Sequence, residues 1–191
     1  MTKPATDNKE DAIAGIKQSF RLLKSANARK LGKQSEGRIG YQILGNTDRT
    51  SLYMTITENS GGGYFSREIV QFQKVEACLA KQNQDKPFPS KSFKEAFVGR
   101  SSNNAGFLAA ILRAEGLLAA APTSESQHLV TDTWADWKKS LLSTPGKLVE
   151  IDTIKPNDVL VSADSVSDHM ERTEKHRTLS LKPTKAAELA D

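Results

Sequence analysis

The chain has 191 residues, a formal net charge of +4 and a sequence pI of about 9.1. A hydrophobic content of 37% and a mean hydropathy of −0.50 indicate one domain with solvated extensions, or two very small domains. The absence of any run of about 18 apolar residues argues against a membrane span, and the single cysteine, Cys78, excludes an intramolecular disulfide.

The N-terminal region is predicted to be a polar lead followed by one long basic helix. Residues 1–8 lack the apolar segment of a secretory signal, so we expect a flexible lead and a cytoplasmic protein. A helix is predicted over residues 9–33, because apolar side chains recur there every three or four positions. No acidic residue occurs from 18 to 35, and the basic residues of that stretch are Arg21, Lys24, Arg29, Lys30 and Lys33. These charges either coat a solvated helix face or contact nucleic-acid phosphates.

Residues 38–57 are predicted to form a β-hairpin. Two runs of alternating apolar residues, at 39–43 and 52–56, flank the turn-forming residues 45–48. Three consecutive glycines follow at 61–63. They lie outside any Gly-Lys-Ser/Thr or GxGxxG pattern, so we expect a flexible connection rather than a nucleotide site.

Helices are predicted on both sides of a central module. Residues 67–82 carry an apolar stripe, and Cys78 beside it is interpreted as a small core residue. Residues 131–142 carry Trp134 and Trp137, which form either core or an exposed aromatic patch for a partner. Short strands are predicted at 148–154 and 159–161, and residues 162–191 are sparse in apolar side chains and predicted to be mostly disordered.

The central module is predicted to contain a helix-turn-helix followed by a hairpin. A first helix over 90–98 ends at Gly99, and a second helix begins after Ser101 or Ser102. Gly116 suits the left-handed position that ends such a helix. Residues 119–131, with a polar tip at 122–126, are then predicted to form a wing-like hairpin.

This arrangement resembles the winged helix-turn-helix domain of MarR-type regulators. The matching segments are PSKSFKEAFVGRSS, FLAAILRAEGLL and AAAPTSESQHLVT, within a module of residues 66–133 whose first helix begins at Ser66. The resemblance implies that the second helix enters the major groove of duplex DNA and that the hairpin touches the backbone or the minor groove. It places Ser102, Asn103, Asn104 and Phe107 toward the bases, and Lys91, Lys94 and Arg100 toward the phosphates.

No enzyme signature stands out. The three histidines lie outside any HExxH pattern and the single cysteine cannot form a CxxC pair, so we expect no metal site, no cofactor and no catalytic residues. A nucleophilic set of Cys78, His128 and an acid is a remote alternative, because one sequence cannot establish its geometry.

The sequence therefore predicts an α+β protein that is mainly helical. Its predicted parts are the lead (1–8), a basic helix and hairpin (9–65), the winged-helix-like module (66–133), a Trp helix with a short hairpin (134–161) and the tail (162–191). The predicted function is a non-enzymatic accessory or regulatory protein that binds nucleic acid, with duplex DNA favoured, does not bind a membrane, and forms a homodimer if it oligomerises. The alternative is a protein-interaction module that acts as a subunit or inhibitor in a larger complex, through the Ala-rich second helix and the tryptophans.

Overall fold

A computed structural model describes residues 16–32, 36–83, 85–99 and 101–153. The predicted lead, the strand at 159–161, the tail, Lys33 and Arg100 lie outside the described residues. Within those ranges 28% of the structure is helical and 38% is strand, in two antiparallel sheets. The prediction of a mainly helical protein is therefore wrong: the protein is mixed in class but rich in strands.

Eight strands form the two sheets of the described residues. In chain order they are β1 (Ile16–Arg29), β2 (Arg38–Gly45), β3 (Leu52–Asn59), β4 (Val70–Gln71), β5 (Phe88–Pro89), β6 (Leu118–Ala121), β7 (Ser124–Val130) and β8 (Lys147–Thr153). The larger sheet has the order β4-β3-β2-β1-β8 and the smaller has the order β5-β7-β6. The predicted hairpin of β2 and β3 is confirmed, as are the hairpin of β6 and β7 and the strand β8.

The predicted helix over residues 9–33 is wrong where the structure describes it, because residues 16–29 form the long central strand β1. A spacing of four, as between Ile16 and Phe20, fits the twofold period of a strand as well as the period of a helix. The three-residue step to Leu23 reflects a β-bulge, since Leu22 pairs with Leu44 and Lys24 with Ile43. What makes the segment a strand is its pairing on both sides, with β2 and with β8, which is more than 120 residues away along the chain.

Four helices complete the described structure: α1 (Phe72–Ala80), a 3₁₀ helix (Ser90–Ala96), α2 (Asn104–Ala114) and α3 (Trp134–Ser143). The helix predicted from residue 67 begins only at Phe72, because Val70 first pairs with Met54 at the sheet edge. The first helix of the predicted helix-turn-helix is a 3₁₀ helix, whose buried residues Phe93 and Ala96 are three apart and share one face. Gly116 takes the expected left-handed φ of 73° after α2.

One hydrophobic core joins both sheets and the helices. Its buried members come from β2 and β3, from α1, from the 3₁₀ helix and from α2, and they continue into β6 through Leu118. Trp134 and Trp137 pack against this core at Phe72, with ring centroids 6.5 and 4.8 Å away. The Trp134 indole donates a hydrogen bond to the Leu117 carbonyl at 2.8 Å, so the two tryptophans anchor α3 rather than forming an exposed patch.

A buried carboxylate, that of Glu115, connects four elements just after the end of α2. Its side chain is 3% exposed and accepts hydrogen bonds from Lys24 of β1 at 2.9 Å, from the Tyr41 hydroxyl of β2 and from the Trp137 indole of α3 at 2.9 Å. Burial acts to raise the pKa of Glu115, but the three donors outweigh it and the net shift is downward. Burial and the Glu115 carboxylate raise the pKa of Tyr41. The carboxylate is therefore ionised at neutral pH, and its partners hold the helices against the sheet.

We expect Glu115→Ala to lower the free energy of unfolding by about 3–5 kcal/mol, because it leaves the Tyr41 hydroxyl and the Trp137 indole buried without an acceptor. Lys24 contributes the smaller part, since its side chain is 42% exposed. Urea unfolding followed by tryptophan fluorescence measures the loss.

The matched control is Glu76→Gln, which removes a carboxylate that pairs with Lys138 at 2.7 Å while both side chains are 38% exposed. That change is expected to cost less than about 1 kcal/mol. Equal losses in the two variants would show that the Glu115 cluster is not a principal support of the fold.

Candidate nucleic-acid interface

Helix α2, the predicted recognition helix, is enclosed. It packs on β1 and β2 on one side and on the 3₁₀ helix and β6 on the other. From Asn104 to Ala114 only Ala114 is exposed, and seven of these residues are buried. A recognition helix needs an exposed face to enter the major groove, and α2 presents no such face.

Two polar residues at the start of α2 hold the loop that contains Tyr64 and Ser66. Asn104 is 1% exposed, and its Oδ1 accepts a hydrogen bond from the Ser66 amide at 3.0 Å, so this placement does not fit a predicted base contact. Asn103 is half-buried, and its Nδ2 donates to the Tyr64 carbonyl at 2.9 Å. Ser102 is exposed at the surface. Of these predicted base-contacting residues, Ser102 alone is free of such a structural hydrogen bond.

The predicted phosphate-contacting residues fall into three groups. Arg21 and Lys24 are engaged within the fold, Arg21 through the carbonyls of Thr47 and Pro145 at 3.1 and 3.2 Å and Lys24 through Glu115. Lys91 and Lys94 are exposed on the 3₁₀ helix. Arg29 and Lys30 lie together where β1 ends. The structure therefore does not bring the predicted residues onto one surface.

Arg29, Lys30 and Arg38 form a cluster at the end of the β1–β2 hairpin, which we call the basic end. Arg29 is directly opposite Arg38, and both side chains are exposed. Their neighbours Ala28 and Ile39 are buried in the core, so the alternation of the strands places both guanidinium groups on the sheet face away from the helices. Neither arginine forms an ion pair within the described residues.

The loop of residues 60–63, which contains the three glycines, packs against the basic end. The Arg38 amide donates to Ser60 Oγ at 2.7 Å, and the Ser60 amide donates to the Arg38 carbonyl at 3.1 Å. A Cβ at Gly61 would collide with the Lys30 ammonium group, which lies 5.7 Å from the centroid of the Phe107 ring. Gly61 is therefore in close contact with the basic end, whereas a Cβ at Gly62 would meet nothing within 4 Å.

Arg38 and Tyr64 are not among the binding residues predicted from the sequence. Arg38 is part of the predicted hairpin, but its position opposite Arg29 follows only from the register of β1 and β2. Tyr64, with 59% of its surface exposed, is the one aromatic among the large exposed apolar residues of the described chain. The available signal was the position of Tyr64 directly after three glycines, because loop residues usually lie on the surface.

A buried histidine beside a serine resembles a catalytic pair in distance but not in chemistry. His128 Nε2 lies 2.7 Å from Ser90 Oγ, and its Nδ1 accepts a hydrogen bond from Arg113 Nε at 3.0 Å. Because Arg113 is always a donor, the neutral imidazole carries its proton on Nε2 and donates it to Ser90. A general base needs a free lone pair toward the serine and an acid on its other nitrogen, so this cluster is structural.

Two other candidates for chemistry are the thiol of Cys78 and a metal site. Cys78 is 3% exposed, and burial raises its pKa, which disfavours the reactive thiolate. Among the described residues no group of three or more His, Cys, Asp or Glu side chains is arranged to hold a metal ion.

Comparisons with protein families, with curated proteins and with solved structures found no match to this chain. The resemblance to MarR-type regulators therefore stays a prediction. Across the described ranges, none of the helices combines the length and the apolar character needed to cross a membrane.

We expect acid to destabilise the protein through His128. Burial, together with the charge of Arg113, lowers the pKa of His128 from 6.5 to about 4. The unfolded chain binds this proton below about pH 6.5, whereas the folded chain binds it only near pH 4. The free energy of unfolding should therefore fall by up to about 3 kcal/mol as the pH drops through that window.

Urea unfolding of the wild type and of His128→Gln between pH 7.5 and 4.5 measures this effect. Glutamine does not titrate, so the variant should lose less stability over the window than the wild type does, and other groups cancel in the comparison. Parallel pH profiles would contradict the assignment of a neutral, buried His128.

Proposed function

We propose that the protein is a non-enzymatic, accessory or regulatory nucleic-acid-binding protein whose basic end contacts the phosphate backbone. The observation that carries the proposal is the pairing of Arg29 with Arg38 directly across two strands, with no ion-pair partner for either in the described ranges. Like charges in that position repel each other. A phosphate between the two guanidinium groups removes the repulsion and accepts their hydrogen bonds.

The surroundings of the pair support an anionic polymer rather than a single internal carboxylate. Arg29 and Arg38 line an open depression together with Asn27 and Gly37. Lys30 follows Arg29 but lies on the helix side of the sheet, near the Phe107 ring. Glu36 lines the same depression and Glu58 of β3 lies opposite Gly40 of β2, but within the described residues neither forms an ion pair with the arginines. The pair therefore presents two exposed guanidinium groups, each of which carries several N–H donors.

The alternative, a protein-interaction module, draws less support from the geometry. It relied on the Ala-rich helix, most of whose side chains are buried, and on the two tryptophans, which are partly buried and pack against the core. We propose a cytoplasmic location together with the function.

We expect binding of a fluorescein-labelled oligonucleotide to weaken with salt. Three phosphate contacts give a slope of log K against log salt of about −2 to −3. The variant Arg29→Ala/Arg38→Ala should reduce the size of that slope by about two and weaken binding to every sequence alike, because phosphate contacts carry no sequence information. Fluorescence anisotropy from about 50 to 300 mM salt measures both quantities.

The matched control is Lys91→Ala/Lys94→Ala, which also removes two exposed positive charges but from the 3₁₀ helix. It should lose only the small, general effect of lower net charge. Loss of binding in this control and not in the arginine variant would move the site to the helix-turn-helix surface. A salt-independent affinity would refute phosphate binding altogether.

A further inference from the structure

Tyr64 is an exposed aromatic ring on an immobilised backbone. Its carbonyl accepts hydrogen bonds from Ser101 Oγ at 2.8 Å and from Asn103 Nδ2 at 2.9 Å, while its side chain remains 59% exposed. An exposed ring of this size has no role in the core. Because the backbone that carries the ring is held in place before binding, less conformational entropy is lost when a flat partner covers the ring.

The conformation of the loop that carries Tyr64 is fixed by glycines and by hydrogen bonds at both of its ends. Gly62 and Gly63 have φ angles of 70° and 94°, which glycine alone adopts without strain, and Asn59 Nδ2 donates to the Gly63 carbonyl at 3.1 Å. At the other end of the loop, Ser60 is bonded to Arg38 through two hydrogen bonds. The loop is therefore fastened both to the basic end and to the start of α2.

The backbone of Tyr64 lies close to Lys30. Gly61 is in contact with Lys30, and the three residues from Gly61 to Tyr64 span at most about 10 Å even when fully extended. The Lys30 ammonium group lies 5.7 Å from the centroid of the Phe107 ring of α2, so it is on the helix side of the sheet, whereas Arg29 and Arg38 are on the other face. Neighbouring nucleotides of one strand can therefore reach Lys30 and the ring together, and the same strand passes around the end of the hairpin to reach the two arginines.

We infer that the basic end and Tyr64 together bind single-stranded nucleic acid, with one unpaired base stacked on the Tyr64 ring, a phosphate on Lys30, and further phosphates of the same strand on Arg29 and Arg38 around the end of the hairpin. The inference rests on the proposed function and adds the form of the ligand. In a duplex the flat faces of the bases are covered by their neighbours, so an exposed ring gains a partner only when the base is unpaired. The enclosure of α2 favours the same ligand, because a groove-reading helix is not available.

The test compares Tyr64→Ala with Tyr64→Phe by fluorescence anisotropy, using a labelled poly-thymidine strand, a poly-uridine strand and a mixed-sequence duplex of equal length. Tyr64→Ala should weaken binding of the two single strands by about five- to a hundredfold, the range measured when a stacking aromatic is removed. Tyr64→Phe should bind like the wild type, since phenylalanine keeps the flat face. Duplex binding should be the same in both variants.

The matched control is Leu148→Ala on β8, because Leu148 is 58% exposed and lies near the opposite end of β1, beside Arg21. It should leave all three affinities unchanged. Tyr64 is fixed through its backbone carbonyl, so Tyr64→Ala should retain the loop contacts, and unchanged thermal unfolding confirms this.

The outcomes separate this inference from the proposed function. If Tyr64→Ala binds single strands like the wild type while Arg29→Ala/Arg38→Ala does not, the stacking inference is wrong and phosphate binding stands. If the duplex binds more tightly than either strand, the single-strand inference is wrong. If no oligonucleotide binds even at about 50 mM salt, both are wrong.

A second measurement locates the base directly. Ultraviolet crosslinking of a strand that contains 5-iodouridine, followed by mass spectrometry, should place the crosslink on Tyr64. Crosslinks confined to residues of the 3₁₀ helix would overturn the inference, because they would put the base on the opposite part of the predicted module.

Discussion

The fold depends on the ion pair and hydrogen bonds of one buried carboxylate, that of Glu115. The carboxylate lies where α2 ends, and its donors come from β1, β2 and α3, so the same group fixes the helix against the sheet and the last helix against both. Lys24 reaches the carboxylate because it alternates with Ala26 and Ala28 on the covered face of β1, while the bulge at Leu23 moves Leu22 to the other face. Removing one partner of a buried charge that has three donors is costly.

Arg113 has a comparable role on the other side of α2. Its guanidinium group donates to His128 Nδ1 and to the carbonyls of Glu125 and Gln127, at 2.6 to 3.0 Å. Burial and the nearby carboxylate of Glu125 act on its pKa in opposite directions, and the net shift is downward. Arg113, in the last turn of α2, is therefore committed to the hairpin of β6 and β7, which it holds against the helix.

The elements that depend mainly on neighbouring residues could be predicted from the sequence. The hairpin of β2 and β3, the strand β8, the three α-helices and the glycine that ends α2 follow from alternation, helical spacing and turn residues, with errors of a few positions at their ends. Strand β1 could not be predicted in this way. Its apolar residues satisfy two periods at once, and its state is decided by pairing with β8, far along the chain. The same limitation applies to the site: Arg29 and Lys30 are visible as charges, but the position of Arg38 opposite Arg29 exists only once the strands pair.

The element order of residues 72–130, which is helix, strand, 3₁₀ helix, helix and hairpin, matches the order expected from the resemblance, yet the surfaces differ. A groove-reading helix needs an exposed face. Here the larger sheet covers α2, and the same sheet presents Arg29, at the end of β1, and Arg38, at the start of β2, to solvent. The proposed binding combines these strand arginines with an aromatic ring on a loop, which suits a flexible strand better than a rigid groove. In that proposal the sheet that encloses one possible nucleic-acid surface also supplies the other.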